Sequence, residues 1–87
     1  MKFKYTPKGV CSVEILVDID DADKSTIRDI QFVGGCSGNT QGVAALAKGR
    51  KIDEVIGSLS GIRCGRRPTS CPDQLATALT AIKEQIA

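Results

Sequence analysis

Histidine and tryptophan are both missing from these 87 residues, and only one tyrosine, two phenylalanines and one methionine are present. Without histidine a nucleophile has no imidazole to take its proton, so a histidine-based triad is excluded, as is a zinc-water hydrolase with histidine ligands. With so few aromatics, the 41% hydrophobic composition must build its core from Ile, Val, Leu and Ala. No apolar run reaches the roughly 18 residues that a membrane span needs. The opening "MKFKYTPKG" lacks the apolar stretch of a secretory leader, and a cytoplasmic location is expected. A large excess of one charge is missing too. Twelve basic and ten acidic residues leave a net +2, too balanced for a polyanion-binding surface, with Arg66-Arg67 the local exception.

One small domain, 1–87, is expected at this length. Such chains bury only about 60% of their extended surface, so a staple or a partner is worth seeking. In "CSVEILVDID" the residues Val13, Ile15, Val17 and Ile19 alternate with Ser12, Glu14, Leu16 and Asp18, the period of a strand with one buried face. A polar turn near Asp20 and Asp21 leads to a second apolar stretch ending at Phe32 and Val33, which predicts an antiparallel hairpin. Lys2 to Thr6, with Phe3 and Tyr5 on one side, adds an edge strand before Pro7 and Gly9 turn the chain.

From Gly34 the period changes. "GGCSGNTQGVAALAKG" reads as a glycine turn and a short helix with Ser37 or Asn39 as cap and Gly49 as stop. "KIDEVIGSLSG" puts Ile52, Val55, Ile56 and Leu59 on one face of a second short helix. In the last segment Leu75, Leu79, Ile82 and Ile86 recur at intervals of four, three and four, the stripe of a helix of about 15 residues. Strands followed by helices predict an α+β fold: a small antiparallel sheet of about three strands covered by two short helices and a longer C-terminal one.

The four cysteines are the chemistry-bearing residues. Cys71 precedes Pro72, a residue suited to a first helical turn, with either Ser70 or Cys71 itself as the cap. Helix-terminal amides near Cys71 would favour its thiolate. Cys36 follows Gly34-Gly35 before a helix, Cys11 opens the central strand, and Cys64 lies seven residues before Cys71. Four soft thiolates converging on one end of the domain suit tetrahedral zinc, with Cys11, Cys36, Cys64 and Cys71 as ligands. Arg63, Arg66 or Arg67 would offset part of their charge. None of the pairs has the two-residue spacing of a zinc knuckle. A redox pair of Cys64 and Cys71, or four structural cysteines, are the competing readings. "GGCSGN" also suggests an amide nest for a nucleotide phosphate, formed by Gly35, Ser37 and Gly38 with Arg66 and Arg67 nearby, set against a plain tight turn.

At "GGCSGN", "GIRCG" and "PTSCPDQLA" the chain closely resembles the small bacterial TSCPD-domain family, whose name is spelled by Thr69, Ser70, Cys71, Pro72 and Asp73. Related domains end adenosylcobalamin-dependent ribonucleotide reductases. The resemblance implies a link to deoxynucleotide synthesis, as a metal-holding or nucleic-acid-facing accessory module working with a ribonucleotide reductase or another protein partner. Reductase catalysis itself is not implied, because 87 residues leave no room for the radical-generating barrel.

The order of elements is also similar to that of iron-sulfur cluster scaffold proteins. Their first ligand cysteine begins a strand as Cys11 does, their second follows a glycine turn as Cys36 does, and their last opens the final helix as Cys71 does. The scaffold pattern has Asp where this chain has Val13 and often His where it has Ser70. Those differences argue against transient cluster transfer, and Cys64 supplies an extra thiolate for a more closed site. Zinc is therefore the expected metal ahead of an iron-sulfur cluster.

Overall fold

The computed structural model describes residues 1–10, 12–34, 37–63, 65–66 and 68–86, without the side chains of 37–39. Three strands, β1 (Lys2–Tyr5), β2 (Ser12–Ile19) and β3 (Ile27–Gly34), are followed by α1 (Ser37–Ala47), α2 (Ile52–Leu59) and α3 (Cys71–Ile86). The strands form one antiparallel sheet in the order β1-β2-β3. The expected small α+β architecture is therefore present, with two shorter helices and a long last one. No helix among the described residues is long and apolar enough to cross a membrane.

The core lies between the sheet and the helices. Ile15, Val17, Ile19, Ile27 and Ile30 from the sheet meet Ala47, Ile52, Val55, Leu75, Leu79 and Ile82 from the helices. Ile15, Ile19, Ile27, Leu75 and Leu79 have no exposed surface, and each such side chain contributes about 1.5–3 kcal/mol of apolar burial. Phe3 and Tyr5 are half-buried at the edge of this cluster. Ile86, the last residue of the predicted stripe, is half-buried as well.

Strict alternation fails at two places. The ladder pairs Ser12 with Gly34 and then Glu14 with Val33, so Val13 is an extra residue on β2. This bulge turns Ser12 inward, at 4% exposure, and Val13 outward, at 62%. Val13 is thus not on the buried face that the two-residue period assigns to it. A second irregularity between Asp18 and Ile19 leaves Arg28 without a partner, and Ile27 and Ile30 both face the core although they are three residues apart.

Local chemistry sets the remaining boundaries. Gly34 has φ +76° and takes the chain out of β3, while Gly49, at φ +86°, follows the end of α1. The segment after α1 then closes against the start of β3. The Gly49 amide donates to the Ile27 carbonyl at 2.8 Å, the Ile27 amide to Arg50 at 2.9 Å, and the Ile52 amide to Ser25 at 2.9 Å. In the hairpin turn Asp23 accepts the Ser25 and Thr26 amides, both at 2.9 Å, and the Lys51 ammonium, also at 2.9 Å.

Candidate functional site

The first turn of α3 is a junction for distant parts of the chain. Of the two registers open from sequence, the structure uses Ser70 as the cap: its hydroxyl accepts the Asp73 amide at 3.1 Å, and its carbonyl accepts the Gln74 amide at 2.8 Å. The same hydroxyl donates to the Ile62 carbonyl at 2.6 Å. Ser70 is buried, so both bonds fill polar capacity that water does not reach. The chain that leaves Ile62 is thereby returned to the helix start.

Asp73 reinforces this closure. Its carboxylate accepts the Thr69 hydroxyl at 2.5 Å and the Gly61 amide at 2.7 Å. The Thr69 hydrogen bond is the main cause, followed by the Gly61 amide, that holds the Asp73 carboxyl below the usual carboxylate range; Arg63 adds a weaker attraction. Gln74 ties in the N-terminal segment. Its side-chain oxygen accepts the Lys8 amide at 3.0 Å and the Tyr5 hydroxyl at 3.5 Å, while its nitrogen donates to Thr69 at 3.0 Å.

Asp73 yields a pH prediction with a definite sign. Its pKa is lowered on folding, so its contribution is present at neutral pH and is lost as pH falls below the unfolded range and through the folded pKa. Asp73→Asn is expected to cost about 1–2 kcal/mol at pH 7 by urea unfolding, a charge-assisted hydrogen-bond value discounted for solvent access. The variant's urea midpoint should also fall less than the parent's between about pH 5 and pH 3. Parallel pH profiles for the two proteins would refute this role.

Cys71 is the first residue of α3 and is 8% exposed. Its sulfur lies 3.1 Å from the Ser12 hydroxyl across 59 residues of sequence. The β2 bulge makes this contact, because strict alternation would turn Ser12 to the outside. No sequence signal marked Ser12 as a site residue, since a bulge leaves no compositional trace here.

Cys11, Cys36, Cys64, Gly35 and Arg67 lie outside the described residues. Ser37 and Gly38 stand in the first turn of α1, and Arg66 is an exposed turn residue. Described neighbours of the other three cysteines are linked to the start of α3 directly or through one residue. Ser12, next to Cys11, touches Cys71; Gly34, two residues before Cys36, is the ladder partner of Ser12; and Ile62, two residues before Cys64, accepts the Ser70 hydroxyl. Among the described residues, no three His, Cys, Asp or Glu side chains gather as a metal ion requires.

A family model described as the TSCPD domain matches residues 1–83, nearly the full length of the chain. No curated protein and no solved structure matches it.

Proposed function

The chain belongs to the TSCPD-domain family, and on that footing we propose that it is a non-catalytic metal-thiolate accessory domain, with Cys11, Cys36, Cys64 and Cys71 as the zinc ligands. One observation carries this reading: Ser12, next to Cys11, touches the buried Cys71 sulfur, and chain neighbours of Cys36 and Cys64 are bonded to Ser12 and to Ser70 on either side of that contact. A closed four-thiolate shell needs no histidine and no water, consistent with a sequence that has none of the former. Such a metal supplies cross-linking rather than reaction chemistry. The Ser12 hydroxyl would support the Cys71 sulfur from outside the ligand shell. A reducing, cytoplasmic setting and service to a protein partner in deoxynucleotide metabolism complete the proposal.

A metal-free interaction module is the second reading. It is favoured by a Cys71 sulfur already partnered by the Ser12 hydroxyl. Metal analysis of anaerobically purified protein, with thiol titration before and after chelation, separates the two. About one zinc per chain and four protected thiols are expected for a closed site. No metal with four freely titrating thiols would establish the metal-free module, and no metal with one reversible Cys64–Cys71 disulfide would establish a redox component.

A further inference from the structure

From Ser37 to Ala47, α1 carries no charged residue. A helix at the surface of a small domain ordinarily turns charged side chains to water on the face away from the core, and α1 has none to turn. It packs on β3, whereas α2 packs on α3, and a hollow of about 140 Å³ opens between the two helices. Val43, Leu46 and Ala47 of α1 line it together with Val55 and Leu59 of α2. Leu46 is 70% exposed, more than any other large apolar side chain among the described residues.

Arg50 and Ser58 are the polar lining of this hollow. The Ser58 hydroxyl is already occupied, donating to the Glu54 carbonyl at 3.0 Å. Arg50 is exposed, and its guanidinium makes no ion pair or hydrogen bond among the described residues. No acidic residue lines the hollow. The two acids that open α2 are engaged elsewhere: Asp53 accepts the Lys83 ammonium at 2.6 Å, and the Glu54 carboxylate accepts the Lys51 amide at 3.2 Å.

Size and charge define an occupant. Small-molecule sites usually span about 300–1,000 Å³, whereas an apolar cavity of about 150 Å³ takes one benzene-sized group. The hollow is therefore sized for a single leucine or phenylalanine side chain delivered by a larger molecule. Its walls are two helices, and a third helix can seat a ridge of side chains between them. An arginine without a counter-ion in that lining favours a carboxylate next to the apolar anchor.

We propose that the groove between α1 and α2 docks an amphipathic helix of a partner protein, which inserts one apolar side chain beside Leu46 and sets an acidic side chain against Arg50. A second copy is the poorer occupant, because pairing this groove with itself brings two Arg50 side chains to a lining that holds no carboxylate. The proposal goes beyond the metal-thiolate reading and stands whether or not the thiols hold a metal.

The test is an NMR titration of the full chain with capped, alanine-rich helical peptides that carry two leucines one turn apart, flanked by glutamates in one peptide and by lysines in the other. The glutamate peptide should shift the resonances of Val43, Leu46, Val55 and Leu59. At low salt it should bind on the order of tenfold more tightly than the lysine peptide, an advantage that shrinks as salt is added. Arg50→Glu should reverse the preference between the two peptides. Leu46→Ala should weaken glutamate-peptide binding on the order of tenfold, the effect of truncating an interface anchor. Both changes are at exposed side chains, so circular dichroism and the urea midpoint should stay near those of the parent. Equal affinity for the two peptides, shifts confined to other surfaces, or binding that Leu46→Ala and Arg50→Glu leave unchanged would each overturn the proposal. So would a dimer of the peptide-free chain that buries Leu46.

Discussion

Leu79→Ala is expected to lower the free energy of unfolding by about 2–5 kcal/mol, measured by urea denaturation. Leu79 has no exposed surface and lies on the α3 stripe that closes the core over the sheet. At 87 residues a typical total stability is about 4–13 kcal/mol, so the loss is a large fraction of the whole. The thermal midpoint should fall by at least about 10 °C. Leu79→Met, which conserves volume, should cost less than about 1.5 kcal/mol. Leu46→Ala, at a residue that is 70% exposed, should stay within about 0.5 kcal/mol of the parent. A loss below 1 kcal/mol for Leu79→Ala, on the order of a surface change, would mean that α3 does not close the core.

A larger loss is expected when anaerobically purified protein is treated with a strong chelator. Structural zinc in small thiolate domains carries roughly 10–16 kcal/mol of apparent binding free energy, as much as or more than the typical stability of a domain this size. On the four-thiolate reading, chelation should therefore abolish the cooperative transition at 25 °C and most of the far-ultraviolet helical signal, and zinc should restore both. Cys71→Ser should reproduce much of the effect, since it removes one soft ligand while keeping a small polar side chain beside Ser12. An unchanged transition in chelator would show that the core sustains the fold alone and would remove the four-thiolate reading.

The last helix is legible in four residues, because Leu75, Leu79, Ile82 and Ile86 carry a period that one buried face requires, and Ser70-Cys71-Pro72 marks its start. The hairpin and the edge strand are legible for the same reason, from a two-residue period and a polar turn. Ser12 and Val13 are not. Their exchange of faces depends on one unpaired residue in the ladder, set by how β2 meets β3 and not by either side chain's own preference. The role of Asp73 is half legible. Its place three residues after a capping serine suits a helix start, but its grip on Gly61 requires the chain to return there, which no local pattern encodes.

The layering of the core also has a consequence in time. The sheet's apolar face, Ile15 to Ile30, is made long before α3, which supplies Leu75, Leu79 and Ile82. About fifty residues separate Ile30 from Ile82, and at ribosomal rates their synthesis takes roughly 3–10 s. During that interval a nascent sheet has no α3 to cover it, and its isoleucines form a surface that a chaperone or a neighbouring nascent chain can grasp. The native core can therefore close only after α3 has been translated.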